Sequence, residues 1–324
     1  MPDLKIPVVA IVGPTASGKT ALSIEIAKRF NGEIVSADSM QIYKHMDIGT
    51  AKPSPEEKEG IKHYMLGCVE PDESFSVYSY AKLAKKHISD IFLSEKLPVI
   101  VGGTGLYIDN VLQNISLADT NDVNELREKL NEEAAKYGNE YMYKKLESLD
   151  SEAAKNIHPN NIRRVIRALE VYYETGKTFS QQIRESKNEP SPYESIIFMP
   201  VWDREVLYER IDKRVDIMFE MGLYDEFKKL LDMGYNHRLN SMQAIGYKEL
   251  FLYERGMCSF DEAKMLIKKH SRNYAKRQLT WFKRNENIIL LDAQNDDIIQ
   301  TCAGHVAKWL DEKASNNKGC DRCE

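Results

Sequence analysis

The sequence predicts an α/β fold in which a parallel sheet is flanked by helices and carries a helical insertion. Three observations lead there. Apolar runs of strand length alternate with helical patterns at both ends of the 324 residues. The first run passes through a glycine loop into a helix. From Asp119 to Pro192, by contrast, no strand-like run occurs.

The first strand, Val8-Val9-Ala10-Ile11-Val12, leads into Gly13-Pro14-Thr15-Ala16-Ser17-Gly18-Lys19-Thr20 and then a helical pattern from Ala21 to Phe30. Strand, glycine loop and helix in this order make a P-loop, so the core is P-loop NTPase-like. The glycines let backbone N–H groups turn inward around phosphate oxygens, and the helix start directs its positive dipole end at the same anion. Lys19 adds a full charge, and the Thr20 hydroxyl is placed to hold a magnesium ion bridging two phosphates. The expected ligand is a di- or triphosphate of unspecified kind.

Glu33-Ile34-Val35-Ser36-Ala37-Asp38 reads as a second buried strand with an acidic end, and Lys62 to Val69 as a weaker one. A helix is expected from Val77 to Ser94, with Tyr80, Leu83, Ala84, His87, Ile88 and Ile91 at helical spacing. Leu97-Pro98-Val99-Ile100-Val101 is a strand running into Gly102-Gly103-Thr104-Gly105. Parallel sheets bind ligands at the C-terminal ends of their strands, so the glycine loop, Asp38 and Thr104 are expected to open into one crevice. In the insertion, Asp122 to Tyr137 and Glu140 to Leu149 read as helices, and His158 to Asn161 as the cap of a helix from Ile162 to Glu174 that stops at Gly176. After Pro190 and Pro192 come a strand from Ser195 to Val201 and helices from Arg204 to Met218 and Leu223 to Met233. Ser259-x-x-Glu262 is a capping box opening a helix to about Arg284. A strand at Ile288 to Leu291 and a helix from Ile298 to Leu310 close the chain. The expected organisation is a catalytic core over 1–118 and 193–313, an insertion over 119–192 and a disordered polar tail over 314–324.

No apolar run is long enough to span a bilayer, so no membrane partner is expected. Five scattered cysteines fit a reducing cytoplasm rather than a disulfide framework, and Cys320-Asp321-Arg322-Cys323 lacks nearby ligands to complete a zinc site. The net charge of −5 disfavours a polyanion partner only if the charges are mixed, and they are segregated. Between Lys264 and Arg284 stand Lys264, Lys268, Lys269, Arg272, Lys276, Arg277, Lys283 and Arg284 without any Asp or Glu. Tyr274, Trp281 and Phe282 are interleaved, a pattern suited to RNA or DNA phosphates and unstacked bases. Arg163, Arg164 and Arg167 form a second cluster.

Asp38 is the candidate general base; a strand-end Asp can equally cap the turn that follows. The strand ending in Gly102-Gly103-Thr104-Gly105 lacks the acidic residue with which ATPases and GTPases hold magnesium. Its glycines are read as allowing close approach to a ligand. This favours group transfer from a phosphate ester over ATP hydrolysis.

These residues resemble the bacterial tRNA dimethylallyltransferases (tRNA isopentenyltransferases, the IPP transferase family) over nearly the whole chain. The matching motifs are the P-loop, Ser36-Ala37-Asp38-Ser39-x-Gln41-Ile42-Tyr43, Met46 to Pro53, Gly102 to Tyr107, His158-Pro159-Asn160, Arg167 to Val171, Gly246-Tyr247-Lys248 and Ala275 to Phe282. The resemblance implies transfer of a dimethylallyl group from its diphosphate to N6 of the adenosine 3′ to a tRNA anticodon, with Mg2+. It implies Asp38, Thr104 and Lys19 as catalytic residues. The donor diphosphate would lie on Gly13, Pro14, Thr15, Ala16, Ser17, Gly18, Lys19 and Thr20, with Arg210 and Arg214 closing over it. Contacts to the tRNA anticodon stem-loop would come from Asp38, Ser39, Met40, Gln41, Thr104, Arg127, Arg163, Arg164, Val165, Ile166 and Arg167. Further contacts would come from Gln243, Ala244, Ile245, Gly246, Tyr247, Lys248, Gln278, Leu279, Thr280, Trp281, Phe282, Lys283, Arg284 and Asn285. The insertion would clasp the stem, and the enzyme is expected to be a cytoplasmic monomer. The alternatives are a P-loop small-molecule or nucleoside kinase, an adenylate isopentenyltransferase acting on free AMP or ADP, and a non-catalytic P-loop RNA-binding protein.

Overall fold

The computed structural model describes residues 5–115 and 124–320. Strands β1 (Ile6–Val12), β2 (Gly32–Ser36), β3 (His63–Tyr64), β4 (Leu97–Gly102), β5 (Tyr193–Val201) and β6 (Ile288–Asp292) form one sheet in the order β3-β2-β4-β1-β5-β6. Every pairing is parallel. β1 and β2 are almost wholly buried, as strands covered by helices on both faces must be. The chain leaves β1 for β2 on one side of it and reaches β5 on the other. Their C-terminal ends therefore frame a crevice at the switch point. Register aligns Val12 with Gly102 and Ser36 with Val101, which brings the P-loop, the segment after β2 and the glycine run after β4 to one edge.

The weak strand expected over Lys62 to Val69 shrinks to β3. Positive φ at Met65 (63°) and Gly67 (56°) turns the chain out of the ladder, and Val69 makes only an isolated bridge to Tyr43. The Val77–Leu93 helix buries Tyr80, Ala84, Ile88 and Ile91, whereas Leu83 is 38% exposed at the edge of that stripe. The closing helix runs Ile298–Cys320, past both its expected end at Leu310 and the start of the expected disordered tail. No proline interrupts it, and its only late glycine is Gly319. Of the C-terminal cysteine motif, residues 321–324 lie outside the described residues.

Two compact units emerge: one of Met1–Glu73, Leu83–Ile108 and Tyr193–Glu324, the other of Ser74–Lys82 and Asp109–Pro192. The expected junction at 118/119 and the helix start at Asp122 lie outside the described residues. The first unit packs Ile11, Ile34, Val99 and Phe198 of the sheet against Ile26 of the Lys19–Arg29 helix and Cys302 and Val306 of the closing helix. Full burial of each such aliphatic contributes about 1.5–3 kcal/mol. Burial also pushes the Cys302 thiol up to about 12, which leaves it inert.

The second unit packs Leu130, Met142, Leu146, Val165, Ile166 and Leu169 from three helices, Asn124–Tyr137, Asn139–Leu149 and Ile162–Thr175. The side chains of Val165 and Ile166 thus serve this core. Asn161 precedes the last of these helices without a side-chain capping bond, contrary to expectation, whereas Gly176 ends it at φ 69° as expected.

Candidate functional site

The P-loop needs left-handed backbone at Gly13 (φ 135°) and Gly18 (φ 91°), which glycine adopts without cost. Its carbonyls and hydroxyls are held from outside. Trp202 Nε1 donates to the Ser17 carbonyl at 3.0 Å, Arg210 Nε to the Ala16 carbonyl at 3.0 Å, and Arg214 Nη1 to Thr15 Oγ1 at 3.3 Å. Arg210 and Arg214 stand one turn apart on the Arg204–Glu220 helix, and Arg210 also stacks on Trp202 at 4.1 Å. Lys19 Nζ donates to the Pro14 carbonyl at 2.5 Å. Burial, then the Arg214 charge, lower this amine to about 7 against the opposing pull of Asp38. Ser17 Oγ is buried without a partner, a vacant donor within the phosphate loop.

Asp38 lies two residues beyond β2 and performs the capping role: Oδ1 accepts from Met40 N at 2.9 Å and more weakly from Gln41 N at 3.4 Å. Both of these bonds fall on one oxygen, which leaves Oδ2 outside the turn. Lys19, Thr20 and Asp38 line one cavity of about 330 Å³. Thr15, Ser39, Met40, Gln41, Arg214, Gln243, Ala244, Ile245, Gly246, Lys248 and Gln278 line it too. Thr104 does not line it; its Oγ1 accepts from Ser39 N at 3.0 Å and so braces the Asp38 turn.

Among the described residues no group of three or more His, Cys, Asp or Glu could hold a metal ion. The oxygen donors beside the P-loop, the exposed Thr20 hydroxyl above all, suit a hard cation that takes its remaining ligands from a bound diphosphate and water.

The glycines after β4 make room for neighbouring protein segments, and Gly102 also lines the cavity. A Cβ on Gly102 would lie 2.2 Å from the Ala37 carbonyl oxygen, one on Gly103 2.0 Å from Gln278 Nε2, and one on Gly105 2.1 Å from Trp281 Cδ1. Gln278, 5% exposed, accepts from Thr15 N at 3.0 Å and donates to the Gly103 carbonyl at 2.9 Å. It is a tie between segments that also lines the cavity. Tyr247, Ala244 and Phe282 are likewise buried, with Tyr247 Oη donating to Glu226 at 2.6 Å.

The capping box at Ser259 and Glu262 opens the Phe260–Phe282 helix as expected. Its basic stripe, however, is partly neutralised from the neighbouring Arg204–Glu220 helix. Arg272 is paired with Asp212 at 2.5 Å, and Lys264 and Lys268 with Asp216 at 2.7 and 2.8 Å. No acid stands between Lys264 and Arg284; the acids that pair with them come from another helix. Among the described residues Lys269, Lys276, Arg277, Lys283 and Arg284 have no ion-pair partner, and Arg284 stacks on Trp281 at 4.1 Å. Thr280 bonds back to the Lys276 carbonyl, Leu279 packs beside Leu207 and Ile211, and Asn285 caps a turn through Asn287 N.

In the second unit Arg163 and Arg164 are exposed, while Arg127 makes bonds of 2.5 and 2.8 Å to Glu170, which Arg167 approaches at 3.5 Å. The sequence reading missed Glu226, Asp212 and Asp216, whose partners are remote in sequence. It noted Tyr274 only for stacking. Tyr274 in fact lines the cavity, and its hydroxyl is held above its ordinary value by burial and then by the Asp38 charge.

A P-loop on a parallel sheet, two arginines against it and a carboxylate across the same cavity define an α/β enzyme of the phosphate-loop class. Comparison with known families narrows this. Residues 41–285 match the model described as IPP transferase and residues 6–73 the one described as Isopentenyl transferase; the chain belongs to the IPP transferase family. It is 53% identical to the tRNA dimethylallyltransferase of Acetivibrio thermocellus over 90% of this chain and 93% of that one. The Bacillus cytotoxicus tRNA dimethylallyltransferase is 48% identical over 96% and 98%. Among solved structures, the tRNA isopentenylpyrophosphate transferase of Bacillus halodurans matches with a TM-score of 0.73 and 43% identity over 97% of this chain and 100% of that one. A eukaryotic dimethylallyltransferase acting on tRNA matches with a TM-score of 0.76 and 32% identity, over 89% and 74%.

Proposed function

We propose that this protein transfers a dimethylallyl group from dimethylallyl diphosphate to N6 of the adenosine 3′ to the anticodon of tRNA. The observation that carries the reading is the single cavity shared by Lys19 and Thr20 of the P-loop and by Asp38. A kinase could share those parts, but relatives about half identical over nearly the full chain are named tRNA dimethylallyltransferases.

The diphosphate lies on the P-loop amides and the Ser17 hydroxyl, with Lys19, Arg210 and Arg214 opposing its charge. As the C1–O bond breaks, the electron pair leaves with pyrophosphate, where these cations stabilise it. N6 forms the new bond to C1, and its proton passes to Asp38 Oδ2, since the adenine amine is a weak nucleophile until its developing positive charge is relieved. The Thr20 hydroxyl would hold Mg2+, which would supply further charge neutralisation to the diphosphate. The adenine leaves the anticodon-loop stack to reach the cavity. Arg163, Arg164, Lys276, Arg277, Lys283 and Arg284 are among the exposed cations available to RNA phosphates, and Trp281 carries a stacking face. A monomer is the expected state, and tRNA as substrate supports a cytoplasmic location.

Mass spectrometry of tRNA nucleosides after incubation with dimethylallyl diphosphate and magnesium tests the reaction. The expected result is a dimethylallyl mass increase on that adenosine alone. Phosphorylated products from ATP, or turnover of free AMP without RNA, would replace this reading with a rival.

A further inference from the structure

Glu226, on the Leu223–Asp232 helix, gathers a run of backbone donors on its carboxylate. Oε2 accepts from the Asp47 and Ile48 amides at 2.8 Å each, and Oε1 from the Gly49 amide at 3.0 Å and the Tyr247 hydroxyl at 2.6 Å. Three consecutive amides on one carboxylate form an anion nest filled by the protein itself. Gly49 is required there, because a Cβ would lie 2.5 Å from the Tyr247 ring. The loop so fastened continues through Thr50 and Ala51, whose carbonyls accept from Gln41 Nε2 at 3.3 and 3.0 Å. Arg214 Nη2 reaches the Ala51 carbonyl at 3.5 Å while its Nη1 holds Thr15 of the P-loop. Ala51 itself sits at φ 48°, a conformation that persists only where surroundings impose it.

We infer that Glu226 is a positioning residue for the donor half of the reaction. It fixes the 47–51 loop, which in turn aims the Arg214 guanidinium at the diphosphate, although Glu226 touches no substrate. This rests on the proposed reading of the P-loop as the donor-diphosphate site.

The test compares wild type, Glu226→Gln and Tyr247→Phe for the KM of dimethylallyl diphosphate, the affinity for inorganic pyrophosphate and the affinity for an anticodon stem-loop. Glu226→Gln keeps the shape but turns one acceptor oxygen into an amide donor facing backbone N–H groups. Donor KM should rise and pyrophosphate affinity fall by about tenfold or more, with stem-loop affinity changed less than about twofold. Tyr247→Phe removes one of four bonds and should move the same quantities about threefold. Pyrophosphate affinity at the wild-type level in folded Glu226→Gln overturns the inference. So does equal weakening of donor and stem-loop, which would mark a merely structural role. If Glu226→Gln does not fold, an unchanged pyrophosphate affinity in Tyr247→Phe overturns it instead. Wild-type protein that binds pyrophosphate but does not prenylate tRNA sinks the functional reading alone, and the pyrophosphate arm still decides on Glu226.

Discussion

On the proposed mechanism, Asp38 divides two tasks between its oxygens. Sequence offered two readings of it, turn cap and base, and the structure gives Oδ1 to the first while leaving Oδ2 for the second. Asp38→Asn therefore separates them: the amide oxygen still caps Met40 N, but nothing accepts the proton. Turnover should fall at least about a hundredfold while stem-loop affinity persists; a near-wild-type rate removes Asp38 from the mechanism. Lys19 makes a second prediction at this scale. Its amine sits near 7 without ligand because burial and Arg214 disfavour the charge. A diphosphate favours the charged form, so binding takes up a proton. Above pH 7, pyrophosphate affinity should decline by up to about tenfold per unit, and Lys19→Met should lack that decline. Isothermal titration in magnesium-free buffer across pH 6–9 measures the difference between the two proteins. The Lys19 charge was legible in the sequence, whereas its depressed value was not, because Arg214 is remote along the chain.

At the scale of elements, most strands and helices were readable because apolar periodicity and caps are local signals. The Ser259 box and the Gly176 stop are examples. What local reading missed is what distant segments impose. The glycines after β4 were visible as glycines, but the atoms they make room for belong to Ala37, Gln278 and Trp281. Gly102→Ala tests this. Its methyl would meet a backbone oxygen at 2.2 Å, which no side-chain rotation can relieve. The variant should lose about 3 kcal/mol in denaturant unfolding; stability equal to wild type would show that the β2 and β4 ends can spread freely. The basic helix carries the same lesson. Its eight cations over about six turns were plain in the sequence. That Asp212 and Asp216 engage Lys264, Lys268 and Arg272 depended on which helix packs beside it.

For the whole molecule, a net charge of −5 coexists with an RNA-binding reading because positive charge is concentrated in patches. The salt dependence of stem-loop binding reads those patches directly. Replacing exposed Lys276 and Arg277 by Gln should reduce the slope of log affinity against log salt by about 1.4, at about 0.7 per single-strand phosphate contact. Arg272→Gln, removing a cation already matched by Asp212, should leave the slope unchanged. Equal slope changes in both would mean that RNA displaces the Asp212 pair. Anisotropy titrations from about 50 to 200 mM salt distinguish these outcomes.

The Gln278 tie has a consequence in time. It joins Thr15 to a residue 263 positions later and Gly103 to one 175 positions away. The sheet can begin assembling as its first strands are synthesised, because domains form from the N-terminus onward during translation. The phosphate loop gains this tie only once residue 278 of 324 has emerged. Before that its support from outside comes from Trp202, Arg210 and Arg214, so the loop is braced in stages along the chain.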